Sequence, residues 1–169
     1  MWRRRPWCLL PLALLLAVPA LRAQGSDAPL LTVVLADGSS QTFTRAALEA
    51  LPQEKVPARL RDGAPFTVSG VSVTALLKAA GLDLSQRVGA GNVVGHALLA
   101  RAADGYRAVF GLAEVDPHFG HAALMVSWTN ADGSPLPERS GPLQLVATGE
   151  SRPGRWVRQL QSLEVKSLP

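Results

Sequence analysis

The stretch Gly70-Val71-Ser72-Val73-Thr74-Ala75-Leu76-Leu77-Lys78-Ala79-Ala80-Gly81-Leu82 decides how this chain is to be read. Val73, Leu76, Leu77 and Ala80 recur at the spacing of one helical face, so the pattern predicts a helix over 72–80. Ser72 stands where an N-cap is expected, and Gly81 supplies the left-handed residue that ends the helix. Nothing else in the chain carries so clear a helical period. The segments on either side alternate and turn at short intervals, as strands do.

Towards the N-terminus, Leu30 to Ala36 is β-rich and runs into Asp37-Gly38, which predicts a strand and a turn, with Gln41 to Phe43 pairing back. Thr44 then caps a short helix that Pro52 stops. Glu54 to Arg61 and Pro65 to Val68 are weaker strand candidates around Asp62-Gly63. Towards the C-terminus, His96 to Ala103 and Tyr106 to Phe110 flank Asp104-Gly105, a strong hairpin signal. Leu112 to Val115 is a helical turn, and Ala122 to Trp128 a strand with a buried look. A Gly- and Pro-containing loop covers Asn130 to Gly141, and Leu143 to Ala147 and Leu160 to Val165 are the last strands. The expected class is α+β, mostly β with short helices, in a single domain.

The first residues read as an export signal. Arg3, Arg4 and Arg5 precede an uncharged apolar run from Leu9 to Ala20, with small residues leading to a cleavage point after Ala23 or, alternatively, Ala20. The run is too short for a spanning helix and contains Pro11 and Pro19. The expected organisation is therefore a signal peptide over 1–23 and a domain over 24–169, periplasmic or secreted. With the signal go Arg3, Arg4, Arg5 and Arg22, so Lys+Arg falls from 17 by four to 13, equal to the 13 Asp+Glu. A neutral domain has no long-range attraction for nucleic acid or anionic lipid, so neither is expected as a partner. The single cysteine, Cys8, leaves with the signal as well. The mature chain then has no disulfide, thiolate ligand or cysteine nucleophile.

The second half resembles a known family, the small exported members of the oxidoreductase molybdopterin-binding domain group, which have the sulfite-oxidase-type fold. The helix quoted above is similar to that family's Gly-Val-x-Leu-x-x-Leu-Leu-x-x-Ala-Gly-Leu. Asp104-Gly105-Tyr106 before a strand and Leu112-Ala113-Glu114, then Gly133-Ser134-Pro135-Leu136-Pro137, Gly141-Pro142-Leu143-Gln144-Leu145-Val146, and Arg155-Trp156-Val157-Arg158 with Leu163-Glu164-Val165, follow in the family's order. The resemblance covers residues 30–168 and implies that fold, a molybdopterin cofactor and oxidoreductase chemistry.

It also implies a cysteine bound to molybdenum around Val56 to Arg61, and this stretch contains none. The family's histidine before Gly141 is Ser140 here, and its strand arginine is Gln144. The expectation is accordingly a domain that keeps the shape without the reaction: no cofactor, no catalytic residue, and a small anionic ligand or a periplasmic protein as partner. Retained molybdopterin chemistry is the alternative.

Arg152, Arg155 and Arg158, in a loop with Gly149 and Gly154, are the candidate anion holders, since the guanidinium fork suits carboxylate and phosphate. Tyr106 and Ser140 complete the expected ligand-binding set. Asp116, His118 and His121, with His96, form a weaker metal candidate, whose ordinary alternative is a set of loop histidines. Ser69, Ser127 and Ser140 lack the setting of a nucleophile elbow. Arg4-Arg5-Pro6-Trp7-Cys8-Leu9 loosely resembles a twin-arginine signal, whereas the short head and leucine-rich core suit general secretion; both routes stay open.

Overall fold

The computed structural model describes residues 28–84, 91–120 and 123–169. The predicted signal peptide, Cys8 and His121 lie outside these residues.

Two sheets form the frame. The first has five strands, β1 (Leu31–Val34), β2 (Ser40–Phe43), β5 (His96–Ala102), β6 (Arg107–Gly111) and β9 (Leu160–Ser167), in the order β2-β1-β9-β5-β6. The second has four, β3 (Glu54–Ala58), β4 (Phe66–Ser72), β7 (Leu124–Ser127) and β8 (Gln144–Ala147), in the order β3-β4-β7-β8. Helices α1 (Arg45–Glu49), α2 (Val73–Ala79), α3 (Gly91–Val94) and α4 (Leu112–Val115) are short, and a 3₁₀ turn spans Pro153–Arg155. No helix among the described residues is long and apolar enough to cross a membrane.

The core lies between the sheets. Leu31, Val33, Leu98, Ala100, Phe110, Leu163 and Val165 face it from the first sheet, and Val71, Val126 and Leu145 from the second. Leu76 and Leu77 of α2, both fully buried, fill its end, as their helical spacing requires. A smaller cluster of Ala58, Val68, Met125 and Val146 gathers Val56, Phe66 and Trp156 around it. β9 pairs in parallel with β1 (Thr32 opposite Ser162) and antiparallel with β5 (Leu98 opposite Val165), so the last strand sits inside the first sheet.

Local signals act as their chemistry predicts. Gly38 and Gly105 take φ of 87° in their turns, and Gly81 ends α2 at φ 108°. Thr44 Oγ1 accepts the Ala47 N–H at 3.2 Å and caps α1. Ser72 differs from expectation. It occupies the N-cap position of α2 but makes no side-chain cap bond, because its hydroxyl donates to Glu54 Oε1 at 2.5 Å across the β3–β4 pair. β4 runs on through Ser72 rather than stopping at Val68, and α3 forms where the sequence pattern predicts no helix. Gly70 explains the longer strand. There β4 leaves β3 for β7, and a Cβ on Gly70 would lie 2.2 Å from the Val126 carbonyl oxygen.

On the open face of the first sheet, Glu164 accepts from Arg101 at 2.7 Å and pairs with Lys166 at 3.0 Å. Burial pushes the Glu164 carboxyl up, but the hydrogen bonds and charges of Lys166 and Arg101 outweigh it and hold the group below the ordinary glutamate value.

Candidate functional site

Three loops meet at one end of the molecule: the β5–β6 turn at 103–106, the turn at 60–63 after β3, and the segment from Glu150 to Gln159. Asp104 Oδ1 accepts the Tyr106 N–H at 2.9 Å, which fixes the turn and projects the tyrosine. The Tyr106 hydroxyl donates to the Gly154 carbonyl, tying the hairpin to the 3₁₀ turn. The Arg61 N–H donates to the Ser151 carbonyl at 2.8 Å and ties the third loop to the same segment. Trp156 anchors that segment. Its indole N–H donates to the Ala147 carbonyl at 3.1 Å, and its ring meets Phe66 edge to face at 6.0 Å.

The ties leave two adjoining hollows. One, of about 290 Å³, is lined by Asp104, Tyr106, Pro153, Trp156 and Arg158. The other, open and about 640 Å³, is lined by Leu60, Arg61, Asp62, Gly63, Ser151, Arg152 and Pro153. Pro153 is common to both and forms the ridge between them.

The three candidate arginines have different situations. Arg155 turns inward: Nη2 lies 2.6 Å from Glu150 Oε1, Nη1 lies 3.4 Å from Glu114 Oε2, and Nη1 donates to the Val109 carbonyl at 3.3 Å. Its guanidinium also stacks 4.5 Å from the Phe110 ring centre. Glu114 in turn accepts the Gly111 N–H at 2.8 Å. Arg155 therefore spends its charge on the protein's own carboxylates and lines neither hollow. Arg152 and Arg158 are exposed, and their side chains make no hydrogen bond or ion pair among the described residues.

The other candidates are scattered. Ser140 is buried in the turn behind Gln159, with its N–H donated to Pro137 and its carbonyl accepting from Gln159 at 2.9 Å, and it lines neither hollow. Gln144 borders a separate cavity of about 110 Å³, from which the Trp156 ring walls off the Arg158 hollow. His118 is held by Asp116, whose buried carboxylate accepts the His118 N–H at 2.7 Å and faces Nδ1 at 3.0 Å. His96 contacts Ser167 Oγ at 3.0 Å, and no group of three metal-ligating side chains occurs among the described residues.

The structure thus brings Tyr106, Arg152 and Arg158 to one cleft and leaves Arg155 and Ser140 out of it. It adds Arg61, Trp156 and Pro153. Sequence reasoning missed Arg61 because it lies some ninety residues from the arginine loop; its only local sign was the Asp62-Gly63 turn.

The donor set of the cleft can be tested against a molybdenum-pterin group. β3 and the turn after it present Val56, Pro57, Ala58, Arg59, Leu60 and Arg61, with no thiol and no other soft donor. The positions of the family's histidine and strand arginine hold a buried serine and a glutamine behind Trp156. These residues do not fit the metal.

Comparison with solved structures finds the sulfane dehydrogenase SoxCD from Paracoccus pantotrophus, at a TM-score of 0.59 and 21% identity. The likeness covers 80% of this chain but only 37% of that one. It shows the fold, mostly β with short helices and of the sulfite-oxidase type. No protein-family model and no curated protein matches the sequence.

Proposed function

We propose that this chain is an exported, non-catalytic binding domain built on the sulfite-oxidase-type fold, which holds a small anionic ligand in the cleft beside Tyr106. The observation that carries this reading is Arg158. Its guanidinium is exposed at a hollow lined also by Asp104, Tyr106, Trp156 and Pro153, and it makes no ion pair with any carboxylate among the described residues. Arg152 stands in the same condition across the Pro153 ridge. A guanidinium with its donors unspent offers a planar fork to a carboxylate or phosphate, and a neighbouring aromatic wall lowers the local dielectric and strengthens the bond. Tyr106 and Trp156 hold the walls in place without taking part in any bond-making step.

The competing reading is redox chemistry of the kind named for the sulfane dehydrogenase, carried by a molybdenum cofactor. The lack of any thiol after Cys8 argues against it. Protein purified after export should contain no stoichiometric molybdenum by elemental analysis, and one equivalent would overturn the non-catalytic reading. Orthophosphate should raise the thermal midpoint of the wild type and have little effect on Arg158→Ala. Equal shifts in both would remove the anion from this cleft.

A further inference from the structure

From the pairing of the two hollows we infer that the cleft takes an extended acidic segment of a partner protein, lying across the Pro153 ridge with a carboxylate in each hollow. This rests on the reading that the cleft is the binding site, and names the kind of ligand. Three features support it.

The first is the distribution of unspent charge. Among the described residues, Arg59, Arg61, Arg107, Arg139, Arg152 and Arg158 have no ion pair or side-chain hydrogen bond. Arg61 and Arg152 line one hollow and Arg158 the other, with Arg59 and Arg107 adjoining in sequence. A single compact anion engages one hollow and leaves the other cationic. An elongated one satisfies both.

The second is the presence of carboxylates. Asp62 lines the Arg61 hollow and Asp104 the Arg158 hollow. Beside the arginines, these carboxylates can accept N–H donors, which suits a ligand that carries N–H groups alongside its negative ones. A peptide backbone with Asp or Glu side chains has both.

The third is the ridge itself. A Cβ built on Gly154 meets nothing within 4 Å, and Gly154 does not take a positive φ. The Cα side of Gly154 is open, although its carbonyl accepts from Tyr106, and an extended chain can pass over that side beside Pro153 and Trp156.

The test uses the mature protein and two probes, a fluorescently labelled hexaglutamate peptide followed by polarisation and orthophosphate followed by thermal shift. Hexaglutamate should bind, more weakly as salt is raised, because the contacts are exposed ion pairs. Arg61→Ala and Arg158→Ala should each weaken it by roughly tenfold, about what loss of one charge-assisted hydrogen bond gives. Gly154→Gln fills the ridge at a position with open space around it. It should weaken the peptide and leave the orthophosphate response of the Arg158 hollow unchanged. Circular dichroism on each variant checks that the fold is kept.

If hexaglutamate does not bind, or if Arg61→Ala and Gly154→Gln bind it as the wild type does, the bridging segment is refuted. The small-anion reading survives that outcome when the orthophosphate response persists and depends on Arg158. Hexaglutamate binding that requires both arginines, with no response to orthophosphate, upholds the bridging segment and removes the small anion.

Discussion

Replacing Arg155 with alanine separates a structural arginine from a ligand-holding one. The guanidinium sits 2.6 Å from Glu150, whose side chain is 25% exposed, while its own side chain is 40% exposed. A half-exposed pair of this kind contributes about 0.5–1 kcal/mol after solvent screening. The Glu114 contact is longer, at 3.4 Å, and Glu114 is 44% exposed, so a few tenths of a kcal/mol is its share. Stacking over Phe110 at 4.5 Å adds about 0.5–1 kcal/mol. The Val109 carbonyl can turn to water once the arginine is gone, and contributes little. Together Arg155→Ala should cost about 1.5–2 kcal/mol. For a domain of this size that lowers the thermal midpoint by about 3–8 °C. Circular dichroism melts give the midpoint, and repeating them with orthophosphate tests the cleft. The expected result is a lower midpoint with an undiminished increment from phosphate. An unchanged midpoint together with a lost phosphate response would refute the internal clamp and return Arg155 to the ligand.

Two other perturbations test the frame. Gly70→Ala should leave little folded protein, because the added methyl would lie 2.2 Å from the Val126 carbonyl oxygen in the middle of two paired strands; a soluble variant with a wild-type melting curve would contradict the close approach of β4 and β7. Glu164 has a pKa below its ordinary value in the folded state, so its contribution is fully present above the unfolded value of about 4.3 and is lost as pH falls through the folded value. Urea midpoints of the wild type and Glu164→Gln should therefore differ at pH 7 and converge under acid, and a gap that persists at pH 2 would show that the charge is not its source.

The turns and caps were legible because their information is local. Asp37-Gly38 and Asp104-Gly105 name their own geometry, Thr44 needs only the N–H three residues on, and Gly81 needs only freedom at φ. Ser72 takes the N-cap position that the sequence predicts, but its hydroxyl goes to a better acceptor on another strand, Glu54, eighteen positions away. The arginine loop shows the same limit for the site. Along the chain Arg152, Arg155 and Arg158 look alike, three cations at even spacing. What distinguishes them is Glu114, forty-one residues upstream, with Phe110 beside it, and no period or motif brings those to Arg155. The hollow also needs Arg61, which only the tertiary fold delivers. Trp156 was legible as an anchor; that it is also a wall between two cavities was not.

The placing of β9 bears on how the molecule is made. Until residues 160–167 have emerged, the β1–β2 and β5–β6 hairpins have no common neighbour, and nothing holds them edge to edge. Every residue from β1 through β9 must be available before the larger sheet can zip shut, which favours slow closure over stepwise growth from the front. A stop codon before Leu160 removes the middle plank of the sheet and exposes two sticky edges at once.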